Sequence, residues 1–572
     1  MNRKRFVELF TAFSGVIVAD TFNHLPASRF RVNKSTDSQE LSADVVICGG
    51  GLGGCAAALA ALRNNLTVIL TEETDWIGGQ LTQQAVPPDE HQWIENHGAT
   101  KLYRDFRTSI RQYYKSNYPL TDAARADKYL NPGDGSVSKL CHEPRVALAV
   151  LMEMLAPFIS SGKLILLTEY KIISAEFSGD VVNALKASNQ HEDKSVILIA
   201  PYFIDATELG DLLPLTGTEF ISGSESRKET GELHAPEKAN PENNQAYNFC
   251  FAIDYIPGAD HTIEKPHDYD FWRSFNPKLN PAWPGKLLDL HYSNPSTLSP
   301  KELAFDPSGA DTEPLLNLWT YRRIINKKNF IPGTFQSDIT IVNWPQNDYF
   351  TGNLIGAKPP DYIRHIENAK QLSLSLLYWL QTEVPNSGES KGWRGLRLRK
   401  DIVGTEDGLA KHPYIRESRR IKALFTVLEE HVGKENLSMV TDRKNNNRAA
   451  EFYDSVGTGY YHIDLHPTFG GDNYIDFDSL PFQIPLGSLL PERVKNLIPA
   501  NKNIGTTHIT SGCYRLHPVE WSIGEAAGSL IAFAIKKKVN PKEVREKRIL
   551  LEEFQNLIRS QGIDTNWPDS LF

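Results

Sequence analysis

Five of the 39 glycines of the chain lie in one short segment near the N-terminus, GGGLGG at residues 49–54. Gly49, Gly51 and Gly54 have the spacing GxGxxG. The first glycine permits a tight turn, the second lets the backbone approach a pyrophosphate, and the third lets a helix pack closely on a strand. The apolar run DVVIC precedes this loop, which also contains Gly53, and a small-residue run follows it. A second apolar run ends at Glu72, where a carboxylate can accept hydrogen bonds from a ribose. The sequence therefore predicts a strand–loop–helix–strand unit that binds a dinucleotide.

Two further segments indicate which dinucleotide is bound. A second glycine pair ending at Gly79 is followed by Gln80, an arrangement that resembles the flavoprotein extension of the motif and is unusual in NAD-binding domains. The run IDATELGD at residues 204–211 resembles another flavoprotein signature, with Ala206 and Thr207 in their usual places. Glu208 stands where that signature most often has glycine. The predicted cofactor is FAD.

Near the C-terminus, residues 496–537 predict a short strand, a loop and a long helix that opens near Pro518. In flavoproteins of the glutathione-reductase type, the corresponding helix directs its positive end at the flavin pyrimidine ring. The sequence GEAAG at residues 524–528 supplies small residues on this helix. Gly524 and Ala526 are therefore included among the predicted cofactor-binding residues.

The loop before this helix carries the predicted catalytic residues, His508, Arg515 and His517. Dehydrogenation needs a base that takes a proton from a CH–OH, CH–NH or CH–CH group while hydride leaves to flavin N5, and histidine has a suitable pKa. Arg515 is suited to hold a substrate carboxylate or a developing oxyanion. For each residue, the alternative is a structural role in the loop.

Other charged and imidazole groups are secondary candidates. Glu90 and His91 follow the second glycine pair, and Arg416, Glu417, Arg419 and Arg420 lie at the start of a predicted helix over residues 416–430, where internal ion pairs are favoured over substrate anchoring. His462 and His466, in YHIDLH, alternate as on one face of a strand. No third ligand is evident there, so no metal site is predicted.

The order of these motifs resembles the FAD-dependent oxidoreductase family, whose members are often labelled xanthan lyases. The resemblance extends over most of residues 43–540, and its further blocks are PPDEHQWIENHG, NPGDGSVSKLCHEPR, NWPQNDYF and HPYIRESRR. It implies a two-domain fold, FAD whose attachment is noncovalent or unknown, and for most members an unassigned substrate. No physical argument links these residues to polysaccharide cleavage.

The composition of the 572-residue chain excludes several classes of protein. Its formal net charge is −9, so no basic field is available for nucleic acid. Five cysteines without a CxxC pair encode neither a disulfide framework nor a zinc knuckle. No apolar run reaches the roughly 18 residues that a stable membrane span needs.

The predicted fold class is α/β, with a discontinuous Rossmann-like FAD-binding domain of the glutathione-reductase type and an inserted α+β substrate domain. The FAD-binding parts are residues 43–219 and 476–545, because cofactor motifs at both ends of the chain must meet on one sheet. The substrate or cap domain is residues 220–475, and residues 546–572 form a C-terminal helix and tail.

The N-terminus carries a basic segment followed by a short apolar segment, the first two parts of an export signal, over residues 1–19. RKRFV resembles a twin-arginine signal with lysine in the second arginine position. Residues 20–42 are predicted to be a linker. The expected location is periplasmic or secreted, and the alternative is an amphipathic N-terminal helix on a cytoplasmic enzyme.

The chain is thus expected to be an oxidoreductase, a dehydrogenase or oxidase, that oxidises a small polar organic substrate. No second GxGxxG follows a strand, so no dedicated NAD(P)H domain is predicted. The sequence does not identify the electron acceptor, which is oxygen, a quinone or another carrier, and flavin reduction by diffusing nicotinamide is an alternative. A non-catalytic flavin-binding protein and a polysaccharide-processing enzyme are the alternative functions.

Overall fold

The computed structural model describes residues 32–34, 39–386, 391–437 and 448–571. The predicted export signal lies outside these residues, as does most of the predicted linker. Residues Gln39–Ser42 of that linker form a strand. Export and the exact domain boundaries stay predictions.

Five parallel strands form the central sheet. In chain order they are β1 (Val45–Cys48), β2 (Val68–Glu72), β3 (Leu164–Thr168), β4 (Tyr202–Asp205) and β5 (Leu497–Pro499). Their order across the sheet is β5-β4-β1-β2-β3, and all neighbours run parallel. Since β1, β2 and β4 are covered on both faces, nearly every side chain in them is buried, which explains their continuous apolar sequence. The C-terminal strand β5 completes the sheet, as the discontinuous Rossmann-like fold requires.

Helices cover this sheet. The longer helices of the chain are α1 (Leu52–Arg63), α2 (Lys101–Asn117), α3 (Pro144–Ser160), α4 (Pro359–Thr382), α5 (His508–Tyr514), α6 (His517–Lys537) and α7 (Arg548–Ser560). Helices α1 and α6 cross with their backbones in close contact. A Cβ atom on Gly524 would lie 2.0 Å from the Gly53 carbonyl oxygen, and one on Gly528 would lie 2.2 Å from the Ala57 carbonyl oxygen.

A second sheet packs beside the first. Its strand order is Val32–Lys34, Gln39–Ser42, Ser195–Ile199, Val181–Asn189, Tyr170–Ser178. The apolar run over residues 163–172 divides between the two sheets at Glu169, whose φ is 64°. The run over residues 195–212 divides in the same way, because Ser195–Ile199 joins the second sheet and β4 joins the first.

The middle of the chain contributes an antiparallel sheet in the order Arg323–Ile325, Ile339–Val342, Phe251–Tyr255, Leu396–Leu398. Helix α4 packs beside this sheet in a largely separate apolar core. The mixture of antiparallel strands and helices agrees with the predicted α+β insertion. Two-stranded pairs complete the sheet structure: Phe220–Ile221 with Arg420–Ile421, His291–Ser293 with Pro300–Glu302, Ser455–Gly459 with Phe482–Pro485, and Ile463–Leu465 with Ile475–Phe477.

The remaining elements are short. The α-helical ones are Asp122–Ala126, Leu212–Leu215, Arg227–Thr230, Tyr269–Ser274, Leu318–Tyr321, Lys400–Val403, Glu429–Val432 and Pro541–Glu546. The 3₁₀ turns are Gly79–Leu81, Lys327–Asn329, Pro345–Asn347, Leu486–Leu489 and Asp569–Leu571. No helix of the described ranges is long and apolar enough to cross a membrane.

The predicted helix over residues 416–430 is wrong. Residues 416–419 are extended, Arg420–Ile421 is a strand, and only Glu429–Val432 is helical. The cause is burial of charge. Glu417 accepts hydrogen bonds from Arg420 and His508, and Arg420 also binds Glu225, all with buried side chains. These long-range ion pairs outweigh the local helical propensity.

The α1–α6 contact predicts that Gly528→Ala destabilises the protein. The added methyl group must displace helix backbone, so the free energy of unfolding should fall by about 1–3 kcal/mol. Urea midpoints of the purified variant measure the loss. Ser529→Ala is the matched control on the same helix, because the Ser529 hydroxyl is buried without a hydrogen-bond partner. Equal midpoints for Gly528→Ala and wild type would contradict the close contact.

Candidate cofactor and active site

The carboxyl ends of β1, β2 and β4 open into one pocket, which holds about 450 Å³ of empty space, part of it open to solvent. Open parallel sheets bind their ligands at this edge. The pocket lining consists of Gly49, Gly51, Thr71, Glu72, Glu73, Gln83, Tyr170, Lys171, Ile172, Ala206, Thr207, Glu208, Asp211 and His412. Five of the residues predicted to bind the cofactor, Gly49, Gly51, Glu72, Ala206 and Thr207, therefore lie together in this lining.

The glycine loop is shaped as its spacing predicts. Gly49 has a φ of 97°, and a Cβ there would lie 2.2 Å from the Ala206 carbonyl oxygen. A Cβ on Gly54 would lie 1.9 Å from the Gly49 carbonyl oxygen, so this glycine permits the close packing of α1 on the loop. The N–H groups of Gly51 and Leu52, at the start of α1, donate to no acceptor among the described residues. This helix N-terminus is available to an anion.

Glu72 lies at the end of β2, where the sequence predicts it. Its Oε2 accepts a hydrogen bond from the Gly50 N–H at 2.9 Å, and its Oε1 accepts one from the Thr74 N–H at 2.9 Å. Burial, with the nearby Glu73 carboxylate, raises the pKa of Glu72 to about 7. The carboxylate thus holds the glycine loop against β2 while it lines the pocket.

Of the remaining predicted cofactor residues, three lie close to the glycine loop and its neighbours, and two lie away from the pocket. Gly79 approaches the loop, because a Cβ there would lie 2.9 Å from the Gly51 Cα, and Gln80 donates to the Arg515 carbonyl oxygen at 2.9 Å. Gly53 approaches the end of β5, where a Cβ would lie 1.7 Å from the Ala500 carbonyl oxygen. Gly524 lies in the α1–α6 contact and Ala526 in the apolar core, so neither lines the pocket.

Sequence reasoning missed a buried charged cluster at the mouth of the glycine loop. Lys502, just after β5, forms a 2.5 Å ion pair with Glu208, the residue that replaces the usual glycine. Glu520 of α6 accepts hydrogen bonds from the Gly53 N–H at 3.2 Å and from Gln80 at 2.5 Å. Burial raises the pKa of Glu520 to about 7, Glu208 adds to this shift, and Lys502 opposes it. The replacement of the usual glycine by Glu208 was the one feature of the sequence that could have indicated this cluster.

A second group of polar residues lies next to Gln80, on the side of Gln80 that contacts Arg515, and it contains His517. The His517 Nδ1 accepts a hydrogen bond from the Asp89 N–H at 3.1 Å, and its Nε2 is buried without a partner. Burial, assisted by the positive charge of Arg322, lowers the pKa of His517 to about 4. The imidazole is therefore neutral at pH 7, with its proton on Nε2.

Arg515 is fixed beside this histidine. It donates to the Tyr414 hydroxyl at 2.9 Å and to the Asp464 carboxylate at 3.1 Å, while its Nε is buried without an acceptor. The carbonyl of Arg515 receives the Gln80 hydrogen bond, which connects this residue to the cofactor loop. Arg515 and His517 are thus brought together next to the predicted flavin segment.

His508 lies in a different network. Its Nδ1 is 2.8 Å from a Glu417 carboxylate oxygen that also pairs with Arg420, and its N–H donates to Glu225. Although burial opposes protonation, the Glu417 carboxylate raises the pKa of His508 above its usual value. These contacts fix the His508 ring, whose Nε2 is also buried without a partner, and no hydrogen bond or ion pair among the described residues joins it to Arg515 or His517.

The secondary candidates are also in ion pairs. Glu90 pairs with Arg107, and Arg416 pairs with Asp348 at 2.9 Å. His91 packs against Trp93, Tyr460 and Trp567. His466 Nδ1 is 2.6 Å from Asp348, and His462 Nδ1 is 3.1 Å from Asp476. Within the described ranges, no group of three or more His, Cys, Asp or Glu side chains is arranged to hold a metal ion.

The residues present fit FAD. The Gly51 and Leu52 N–H groups and the positive charge of Lys502 would bind the pyrophosphate. The ribose has Glu72. A flavin ring needs hydrogen-bonding partners, and Gln80 Oε1, both amide atoms of Gln84 and His517 Nε2 are buried without any in this structure.

The sequence profile of the family described as FAD dependent oxidoreductase matches residues 44–558. This chain belongs to that family. Its cofactor is FAD, and the Rossmann-like fold predicted from the sequence is confirmed. No curated protein is significantly similar to it in sequence.

Solved structures give only distant likenesses. L-proline dehydrogenase from P. horikoshii is 16% identical over 34% of this chain and 25% of its own, with a TM-score of 0.17. Glycerol-3-phosphate dehydrogenase from Bacillus halodurans, in complex with FAD, is 12% identical over 37% of this chain and 40% of its own, with a TM-score of 0.21. OxyS anhydrotetracycline hydroxylase from Streptomyces rimosus is 10% identical over 91% of this chain and 66% of its own, with a TM-score of 0.30. This chain thus spans less than half the length of the two dehydrogenases.

The glycine loop predicts that Gly51→Val abolishes FAD binding. The branched side chain would take the space in front of the α1 N-terminus and meet Glu208. Flavin absorbance of the purified variant, with circular dichroism as the folding control, measures the loss. A folded Gly51→Val protein with one FAD per chain would contradict the assignment.

The buried acids predict that FAD binding weakens as pH rises through about 7. Below that pH Glu520 carries a proton, and above it the pyrophosphate must bind beside an ionised carboxylate or take up a proton. The dissociation constant for FAD should increase about tenfold per pH unit above 7, measured by flavin fluorescence. Glu520→Gln should flatten the dependence, while Glu525→Gln, a buried acid farther along α6, is the control. A wild-type constant unchanged from pH 6 to 9 would contradict this coupling.

Proposed function

We propose that this oxidoreductase oxidises a small polar organic substrate that binds against His517 and Arg515, with oxygen or another carrier as final acceptor. The observation that carries the proposal is the set of buried, unpartnered polar atoms beyond Gln80. They belong to Arg322, Arg515, His517 and His142, and the nearby Asp89 Oδ1 is ion-paired with Arg322 but accepts no hydrogen bond. A folded protein rarely buries so many unpaired polar atoms in one place unless a ligand satisfies them.

The protonation state of His517 defines what it can do. Because the Asp89 N–H occupies Nδ1, the neutral ring presents an N–H donor at Nε2. This donor can hold a substrate oxygen or nitrogen in position. To act as a base through Nε2, the ring must first release the Asp89 N–H and change tautomer. His517 is thus assigned here as a hydrogen-bond donor that orients the reacting group.

Arg515 supplies a fixed positive charge. Tyr414 and Asp464 hold its guanidinium, and burial does not neutralise it because the Tyr414 and Asp464 partners keep its pKa above the usual value. A positive group held in place stabilises negative charge that develops on a substrate oxygen. When bound, FAD supplies the two-electron acceptor for the oxidation.

The alternative of a non-catalytic flavin protein is less well supported. A scaffold has no need for a buried arginine and a buried histidine with unpartnered nitrogens next to the cofactor loop, since such atoms cost stability. No contact among the described residues favours polysaccharide processing. The choice between dehydrogenase and oxidase is the choice of acceptor, which oxygen consumption by the reduced protein distinguishes.

The test is anaerobic bleaching of the flavin by a panel of alcohols, amines, amino acids, hydroxy acids and sugars. Once a compound of the panel is found to reduce the flavin, His517→Ala and Arg515→Lys should keep FAD bound and slow flavin reduction by that compound roughly 100-fold. His508→Ala is the comparison and should slow it far less, because His508 contacts neither residue. Rapid-mixing absorbance at the flavin band measures the rates.

Two outcomes would overturn the proposal. Fully FAD-loaded protein that no member of the panel reduces would favour the non-catalytic alternative. Wild-type reduction rates in both His517→Ala and Arg515→Lys would place the substrate elsewhere.

A further inference from the structure

Arg322 makes few hydrogen bonds for a buried arginine, and its guanidinium lies 5.2 Å from the centre of the Tyr321 ring. It follows the short helix Leu318–Tyr321 in the middle of the chain, and its side chain is only 10% exposed. Of five N–H donors, the guanidinium places one in a hydrogen bond, to the Pro87 carbonyl oxygen at 3.5 Å, and Nε is buried without an acceptor. Its carboxylate neighbour is Asp89, whose Oδ1 is 3.1 Å away but accepts no hydrogen bond.

The surroundings of Arg322 belong to the proposed substrate site. Asp89 is also the residue whose N–H binds His517, and the charge of Arg322 acts on the His517 ring. The charges of Arg515, Arg416 and Arg322 all act on the Tyr414 hydroxyl, and the Arg416 guanidinium stacks 4.7 Å from the Tyr414 ring centre. Three buried arginines therefore lie near the Tyr414 side chain.

The other two arginines make more hydrogen bonds than Arg322, although the Nε of each is also buried without a partner. Arg416 pairs with Asp348 at 2.9 Å and donates to the Ala246 carbonyl oxygen. Arg515 pairs with Asp464 and Tyr414. The carboxylates of Asp348 and Asp464 also lie near His466. Of the three guanidiniums, Arg322 is the one whose donors remain mostly free.

We propose that Arg322 binds a carboxylate group of the substrate, so that the substrates are small organic acids such as 2-hydroxy acids or amino acids. The proposal rests on the proposed function, since it assigns the substrate class of the same site. A guanidinium matches a carboxylate through two parallel hydrogen bonds, and burial strengthens both. A bound carboxylate would satisfy the orphan Nε and leave the reacting carbon near His517.

The charges favour a singly charged over a doubly charged anion. The three arginines already lie beside three aspartates, and Asp89, 3.1 Å from Arg322, repels any bound anion. That repulsion is about twice as large for a doubly charged phosphate as for a carboxylate. Titrations with phosphate and sulfate therefore distinguish a carboxylate site from a general anion site.

The experiment titrates FAD-loaded protein with pyruvate, acetate and benzoate, which carry no hydroxyl or amino group to oxidise, and records the flavin difference spectrum. Their neutral counterparts acetone, acetamide and benzamide, together with phosphate and sulfate, are titrated in parallel. Wild type should respond to the carboxylates with saturation and to the other compounds weakly. Arg322→Met should weaken carboxylate binding by about 10- to 100-fold, and Arg322→Lys, which keeps the charge but loses the fork, by less.

Two further variants control for folding and for general charge. Arg394→Met removes a largely exposed arginine of the same part of the chain and should bind carboxylates as wild type does. Asp89→Asn should tighten carboxylate binding several-fold, because it removes the competing negative charge; this opposite sign cannot come from damage to the fold.

The outcomes separate this inference from the proposed function. It is overturned if no carboxylate perturbs the flavin of FAD-loaded wild type, if neutral compounds or phosphate bind as well, or if Arg322→Met, with full FAD content, binds as wild type. Flavin reduction by a donor without a carboxylate, unaffected by Arg322→Met, would overturn the inference and leave the oxidoreductase function intact.

Discussion

The contact between the glycine loop and the C-terminal part of the chain is the constraint on which the site depends. Gly53 has no room for a side chain against the Ala500 carbonyl, and Gly524 has none against the Gly53 carbonyl. These contacts fix β5 and α6 against the first helix. In consequence Glu520 and Arg515, both encoded near the C-terminus, contact Gly53 of the glycine loop and Gln80, both in the N-terminal part of the chain.

Charge is the second organising feature of the site. The acids Glu72 and Glu208 line the cofactor pocket, Glu520 lies against the glycine loop, and burial raises the pKa of Glu72 and Glu520 to about 7. Such groups are costly unless protonated or paired, and Lys502 and the loop N–H groups are their partners. On the substrate side, three buried arginines act on Tyr414, and each is paired with an aspartate. The cofactor side thus has more acids than bases, and the substrate side has equal numbers of arginines and paired aspartates.

The sequence predicted the local elements well and the long-range contacts poorly. The GxGxxG loop, β2 ending at Glu72 and α6 opening near Pro518 are encoded by short-range patterns of apolar residues, glycine and proline. Helix 416–430 was wrong because its charged residues pair with Glu225 and His508, far away in the chain. Arg322 and Lys502 carry no local motif. Their importance comes only from what folding places beside them, so a single sequence could not identify them.

An experimental structure of the FAD-loaded protein tests the account most directly. The account predicts pyrophosphate oxygens within hydrogen-bond distance of the Gly51 and Leu52 N–H groups, with the flavin ring between Gln80 and His517. A flavin ring bound on the other side of the glycine loop, away from Gln80, His517 and Arg322, would contradict the assignment of both the cofactor site and the substrate site.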